Sequence, residues 1–269
     1  MNLKEKKMLA ILKKLKTSHG AISVKAEFEA EGTRIDELYR LVEIARRADM
    51  KIALKIGGCE AIRDLMESKQ IGVDYIIGPM VESPYALSKF IEAKNKVYSI
   101  EEQEDTEFLF NIETITTFNN LEAMMKIASD NEGVDGAVFG RVDFSGSLGF
   151  GREEINTQKI TNYAIQTAKL TKAAKLDYVV GGAVSVDTLP SLKEIHGQYL
   201  TRFETRKIVF DAEALHSNDI KDGLIEAVHF ELLWLLNKRD YYNVITEEDD
   251  KRIDMLQSRW KILSEEDLI

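Results

Sequence analysis

The chain has 269 residues, enough to bury a full core either as one large α/β barrel or as two smaller domains. Hydrophobic residues at 44% and charged residues at 30% describe a globular protein. A net charge of −10 argues against a nucleic-acid binder, whose phosphate contacts need an excess of Lys and Arg. Cys59 is the single cysteine, which excludes an intrachain disulfide and a cysteine metal cage. The Lys-rich N-terminal stretch holds no uninterrupted apolar run, so neither a signal peptide nor a membrane span is expected, and the chain reads as cytoplasmic.

Leu3, Met8, Leu9, Ile11, Leu12 and Leu15 recur at helical spacing among lysines and predict a lead-in helix. Gly20 opens an alternating run over 21–28 that reads as a strand and ends in the acidic loop Glu29-Ala30-Glu31-Gly32. Thr33 with Asp36 predicts the N-cap of a helix through about Ala48. The alternation then repeats. A strand at 52–56 ends at Gly57-Gly58 and a helix follows at about 60–67. A strand at 73–77 ends at Gly78-Pro79, and Ser83-Pro84 opens the next helix, since proline suits the first helical position. The acidic run 101–107 reads as a solvated turn before a strand at 108–112, and a helix at about 118–129 leads to a strand at 136–142. A longer loop, a helix at about 157–174, a strand at 176–180 ending at Gly181-Gly182 and a short helix at 189–195 come next. Residues 199–210 are strand-like but interrupted by Arg202, Glu204, Arg206 and Lys207, of which the first three read as an ion-pair network rather than a substrate clamp. Two helices at 219–236 and 247–263 close the chain, the second capped by Thr246 with Asp249.

Strands regularly separated by helices indicate βαβ units and a parallel sheet. Seven strands are legible; an eighth comes either from splitting 199–210 or from a further strand near the N-terminus. A TIM (β/α)8 barrel over 1–215 with a helical extension over 216–269 fits best. A doubly wound sheet is second, because no Gly-x-Gly-x-x-Gly or phosphate-loop lysine follows an early strand.

Two apolar runs each end in a lone carboxylate. Phe108-Leu109-Phe110-Asn111-Ile112 ends at Glu113, and Gly136-Ala137-Val138-Phe139-Gly140-Arg141-Val142 ends at Asp143. Such runs read as strands buried on both faces, and a carboxylate at their exit points into the loops where α/β proteins keep their sites. Two of these on nearby strands can hold one hard divalent cation and leave coordination positions open. Lys55, at another strand exit, reads either as a buried ion-pair partner of Glu29 or Glu113 or as a substrate-side cation. A Schiff-base role for Lys55 or Lys25 sits poorly beside a metal-binding pair.

Asn111-Ile112-Glu113-Thr114, Asn119-Asn120-Leu121-Glu122, the run from Gly133-Val134-Asp135-Gly136 to Gly149, and Gly72-Val73-Asp74-Tyr75-Ile76-Ile77-Gly78-Pro79-Met80-Val81-Glu82-Ser83 together resemble the HpcH/HpaI aldolase and citrate lyase beta-subunit family. The resemblance covers about residues 20–182 in the family's order. It implies a (β/α)8 barrel in which Glu113 and Asp143 bind Mg²⁺, or another divalent cation such as Mn²⁺, at the C-terminal face of the strands. It further implies a 2-oxo acid chelated there, with the backbone of Gly140, Arg141 and Val142 lining the pocket for its carboxylate, and an enolate stabilised by the metal. Two positions depart from the family pattern. Lys55 stands where the family has an arginine, keeping the charge but losing the planar donor fork. Ala30 follows Glu29 where the aldolases carry a histidine. His19 and His196 precede strands and are expected on the far face, His229 sits within a helix, and only His216 is placed to approach the reactive face.

The reading is a metal-dependent carbon–carbon lyase or aldolase acting on a small oxo- or hydroxy-acid, with Lys55 neutralising the enolate and Glu29 or water handling the proton. The alternative is a barrel that keeps the metal site but serves as a binding or scaffolding subunit. No nucleic-acid or membrane partner is expected. Apolar stripes on the last helices, including Leu224, Ile225, Val228, Leu232, Leu233 and Leu236, need a partner surface. The resemblance to an oligomeric family implies a homo-oligomer with this segment in the contact.

Overall fold

A computed structural model describes residues 1–264. In chain order these residues form α1 (Leu3–His19), β1 (Ala21–Glu27), α2 (Ile35–Arg47), β2 (Lys51–Lys55), α3 (Ile62–Ile71), β3 (Tyr75–Gly78), α4 (Pro84–Val97) and α5 (Ile100–Gln103). There follow β4 (Glu107–Ile112), α6 (Ile115–Asn119), α7 (Leu121–Ala128), β5 (Gly136–Gly140), α8 (Arg141–Ser147), α9 (Gln158–Ala173), β6 (Asp177–Gly181), α10 (Leu189–His196), β7 (Arg202–Glu204), β8 (Ile208–Asp211) and α11 (Ile220–Ser264). The strands close into a barrel in sequence order. β1 to β7 run parallel, whereas β8 is antiparallel to both β7 and β1. The stretch 199–210 therefore splits into a hairpin, and its turn, Thr205-Arg206-Lys207, joins the end of the barrel where the parallel strands finish. We call that end the mouth.

Alternation along each strand sorts the residues. Phe108, Phe110 and Ile112 of β4 pack outward into the main core under the helices, while Ala53, Tyr75, Ile77, Leu109, Val138, Val179 and Val209 meet inside the barrel as a separate apolar layer. A charged layer closes the far end: Arg202 donates to Glu107 at 2.9 Å and to Asp177 at 2.6 Å and lies over the Tyr75 ring at 4.5 Å. A second charged layer sits at the mouth. The apolar plug between them separates two polar ends.

Several elements differ from the sequence reading. Arg141 and Val142, expected at the end of a strand, open α8, because the chain turns at Gly140 (φ −90°, ψ 91°). The cap of α2 is Arg34 in extended conformation rather than Thr33, and it makes no side-chain cap bond. Part of the expected acidic turn is the short α5, closed by a Ser99–Glu102 capping box. The two closing helices are one: α11 runs 45 residues without interruption, and Thr246 donates back to the Tyr242 carbonyl at 3.1 Å instead of capping a new helix. No glycine or proline follows Gly223 in this helix, so nothing forces a break. Its first half packs on α1, and Leu224, Ala227, Phe230 and Trp234 are buried there in the main core. The last residues of the expected extension, 265–269, lie outside the described residues. Among the described residues no helix is long and apolar enough to cross a membrane.

Candidate active site at the barrel mouth

Three of the residues singled out in the sequence meet at the mouth. Lys55, at the end of β2, places its Nζ 3.1 Å from Glu29 Oε2 and 3.3 Å from Glu113 Oε2. Glu113 follows β4 and is 2% exposed. Its other oxygen accepts from Asn111 Nδ2 and from the Met80 N–H at 3.4 Å. Burial by itself would strip the proton from Lys55, but the charges of Glu113 and Glu29 outweigh it and hold the ammonium above the ordinary lysine range.

Beside this group lies a second one, whose members sequence reasoning named without bringing Lys25 and Glu204 together. Lys25 of β1 pairs with Glu204 of β7 and, at 3.3 Å, with Glu27. Against the cost of burial, these two carboxylates raise the Lys25 pKa strongly. Glu27 is held below the usual carboxylate range despite its own burial, by Lys25, Lys55 and Arg206 in that order. The β7–β8 turn adds Arg206, 3.0 Å from Glu31, and Lys207, which also pairs with Glu31. Arg202, Glu204 and Arg206 thus each form ion pairs, Arg202 with carboxylates at the far end, Glu204 with Lys25 and Arg206 with Glu31 at the mouth. Period-two alternation in β1 places Ser23, Lys25 and Glu27 on one face, which is the signal that could have found this network.

Asp143 lies on the neighbouring exit but is not joined to the cluster. It sits in the first turn of α8, exposed, with no hydrogen bond or ion pair to another described residue. Helix α8 is tied to the exit of β4 by the Ile115 N–H, which donates to Ser147 Oγ at 2.9 Å. Gly140 lies against Glu113: a Cβ placed there would stand 3.4 Å from Glu113 Cγ. The Arg141 side chain turns away from the mouth cluster and is 2% exposed. Its guanidinium donates to the carbonyls of Gly181 (3.3 Å) and Gly182 (2.6 Å), to Asn156 Oδ1 (2.9 Å) and to Thr188 Oγ1 (3.3 Å). Burial lowers its pKa to about 10. This brings the β6 exit close over the start of α8. A Cβ on Gly182 (φ +85°) would stand 2.8 Å from the Val142 nitrogen and 2.9 Å from the Arg141 nitrogen, hydrogen-bonding distance for an oxygen in that space. Met80 (φ +49°) and Ala183 (φ +51°) hold left-handed backbone at the β3 and β6 exits, strain of the kind that gathers at functional sites.

The donors at the mouth suit a hard cation. Glu113 offers a buried carboxylate, Asn111 Oδ1 is a buried oxygen with no hydrogen-bond partner, and the exposed Asp143 carboxylate stands on the neighbouring exit. Histidine is absent from this end. His216, the one histidine that the sequence left free to approach the reactive face, follows the antiparallel β8 and so lies at the far end, 5.0 Å ring to ring from His196. His229 is exposed on α11, and His19 ends α1 ahead of β1.

A family model described as HpcH/HpaI aldolase/citrate lyase matches residues 33–191, more than half of the chain. No curated protein sequence matches it. Among solved structures, an HpcH/HpaI aldolase/citrate lyase family protein from Burkholderia cenocepacia J2315 superposes with a TM-score of 0.61 at 12% identity, covering 93% of this chain and 92% of the other. The HpcH/HpaI aldolase from Desulfitobacterium hafniense DCB-2 gives 0.57 at 14% identity, covering 80% and 86%. A variant of the citrate synthase SbnG gives 0.55 at 15%, covering 74% and 81%. At these identities the structures establish a shared barrel fold, and the family match establishes the rest: this chain belongs to the HpcH/HpaI aldolase/citrate lyase family, whose enzymes are generally metal-dependent lyases.

Proposed function

We propose that the chain is a carbon–carbon lyase of the aldolase type, acting in the cytoplasm on a small 2-oxo acid or hydroxy acid, with Mg²⁺ or a similar divalent cation held by Glu113 and Asp143. The observation that carries this reading is the meeting of Lys55, Glu29 and Glu113 at a mouth that also presents unpaired oxygen donors. A bound divalent cation supplies positive charge beside the oxygen on which an enolate develops. Lys55 adds a second fixed positive charge, worth most in a site that excludes water. Glu29 has the more accessible carboxylate of the pair around Lys55 and is the group to take or return the proton. The Arg141 and Val142 amides beside Gly182 offer donors for the substrate carboxylate, next to Gly140. Lys25 and Lys55 are both held protonated, which argues against a Schiff base, since that chemistry begins from the neutral amine.

Calorimetry with MgCl₂ and a pyruvate-release screen over 4-hydroxy-2-oxo acids test the proposal together. Glu113→Gln is expected to lose Mg²⁺ binding and turnover, and chelator is expected to abolish turnover in the parent. Unchanged Mg²⁺ affinity in Glu113→Gln would refute the ligand assignment. One observation favours a second reading, a barrel that binds without turnover: no histidine reaches the mouth to serve as base. Mg²⁺ binding without pyruvate from any panel member would select it.

We further propose that residues 216–269 act as a unit distinct from the barrel at 1–215 and carry a homo-oligomer contact. Ile225, Val228, Leu232 and Leu235 recur at i, i+3, i+7 and i+10 on α11, each more than half exposed, and the distal half exposes Val244, Ile245 and Leu256. Because Leu224, Phe230 and Trp234 are buried, the useful truncation ends the chain at Arg239. A lower multiplicity than the full chain by light scattering is expected, and an unchanged one would remove the distal half from the contact.

A further inference from the structure

We propose that His196, Glu213 and His216 form a binding site for a Zn²⁺-class cation at the end of the barrel opposite the mouth. The site exists because β8 runs backwards. A parallel eighth strand would send its following residues to the mouth, whereas the antiparallel one delivers the 3-10 turn Ala212–His216 beside the C-terminus of α10, where His196 sits.

One ligand atom from each of the three residues lies within 4.8 Å of the other two. His196 Nε2 is 3.5 Å from Glu213 Oε1, and His216 Nε2 is 3.8 Å from Glu213 Oε2. Ligands about 2.0–2.2 Å from one zinc at tetrahedral angles stand about 3.3–3.6 Å apart, so closure needs only shifts of side chains. The backbone beneath is fixed. The Ala212 N–H donates to the Thr201 carbonyl at 3.0 Å, the Asp211 carboxylate caps the turn by accepting from the Glu213 N–H at 2.8 Å, and Ala214 and Leu215 are buried. His196 is 18% exposed at its side chain, and its ring meets that of His216 edge to face. The carbonyl end of α10 adds negative potential where the cation would sit.

The chemistry differs from that of the mouth. Two imidazoles and a carboxylate favour zinc and its neighbours over magnesium, whereas the all-oxygen donors around Glu113 favour magnesium or manganese. Three protein ligands leave a position for water. Since the site joins the end of α10 to the turn that leads into α11, the cation would act as a clasp that stabilises the fold by binding only the folded chain.

The test uses the full metal-stripped chain titrated with ZnCl₂ alone, followed by calorimetry and thermal melting, with CoCl₂ in place of zinc to read visible ligand-field absorption. Repeated with MgCl₂ in excess to compete at the mouth, the titration is expected to give one zinc per chain and a raised melting temperature, at the affinity the histidine site shows without MgCl₂. His196→Ala and His216→Ala should each weaken zinc binding by at least roughly tenfold and abolish the visible cobalt bands, with circular dichroism like the parent's. Glu113→Gln and Cys59→Ser should bind zinc as the parent does, which separates this site from the one proposed at the mouth. A folded His196→Ala/His216→Ala chain that binds zinc like the parent, or a parent that binds none, would overturn the proposal.

Discussion

Replacing Lys55 with methionine is expected to lower the unfolding free energy at neutral pH by about 3–5 kcal/mol, the usual cost of removing one partner from a buried ion pair. Methionine keeps most of the apolar stem, so the loss would report charge rather than packing. Glu113, 2% exposed, would be left with only the amide donors of Asn111 and Met80. Urea denaturation measures the change, and its pH dependence has a definite sign. The folded pKa of Lys55 is raised above the unfolded lysine value of about 10.4. Its stabilising contribution is therefore complete below that value and is lost as pH rises through the folded one, so parent and variant should converge only in strongly alkaline solution. Added Mg²⁺ should stabilise Lys55→Met more than the parent, because the metal can then meet the charge of Glu113 without competing with the ammonium. Lys55→Arg should keep the stability, and if Lys55 faces the enolate it should not reduce turnover, since the planar fork serves the same charge. A Lys55→Met chain within 1 kcal/mol of the parent at pH 7, by the roughly 1.4 kcal/mol-per-decade scale of such measurements, would show that Lys55 does not hold Glu113 in place.

Most of the barrel was legible because its strands are buried on both faces. Phe108-Leu109-Phe110 and Tyr178-Val179-Val180 have no solvated side, so continuous apolar character marks them without a helix-period pattern. The ion-pair reading of Lys55 was legible: it pairs with Glu29 and with Glu113. The direction of β8 was not legible. Thr205-Arg206-Lys207 lacks the Asn-Gly or Gly-rich signature of a tight hairpin, and the charged residues around it hide the alternation. That one reversal moved His216 to the far end and brought Arg206 and Lys207 to the mouth. The Lys25–Glu204 pair is a nonlocal contact across the β1 and β7 ends, which spacing along one chain does not reveal. At the β5 exit the apolar run continues through Val142 into α8, so the sequence gives no sign that Asp143 stands on a helix rather than at a strand tip.

Gly182→Ala is expected to damage the site and the fold together, by roughly 2–5 kcal/mol from left-handed strain and overpacking combined. The position has φ +85°, which an alanine tolerates poorly, and the next residue, Ala183, already carries φ +51°. Space offers no escape. The added Cβ would meet the backbone nitrogens of Val142 and Arg141 at 2.8 and 2.9 Å, and neither belongs to a side chain that can swing aside. The loop cannot simply lift, because the Arg141 guanidinium holds the Gly181 and Gly182 carbonyls from below. If those two amides receive the substrate carboxylate, the methyl group occupies the place of its oxygen, so the surviving folded enzyme should show at least a tenfold rise in KM, about 1.4 kcal/mol of lost binding. Thermal melting reads the strain and steady-state kinetics reads the pocket, so the two effects separate. Gly140→Ala provides the contrast: its Cβ would stand 3.4 Å from Glu113 Cγ, in ordinary contact, and should cost far less stability. A Gly182→Ala chain that melts with the parent would mean that the β6 exit is free to move off α8, and a normal KM in a destabilised chain would take the carboxylate pocket away from Arg141 and Val142.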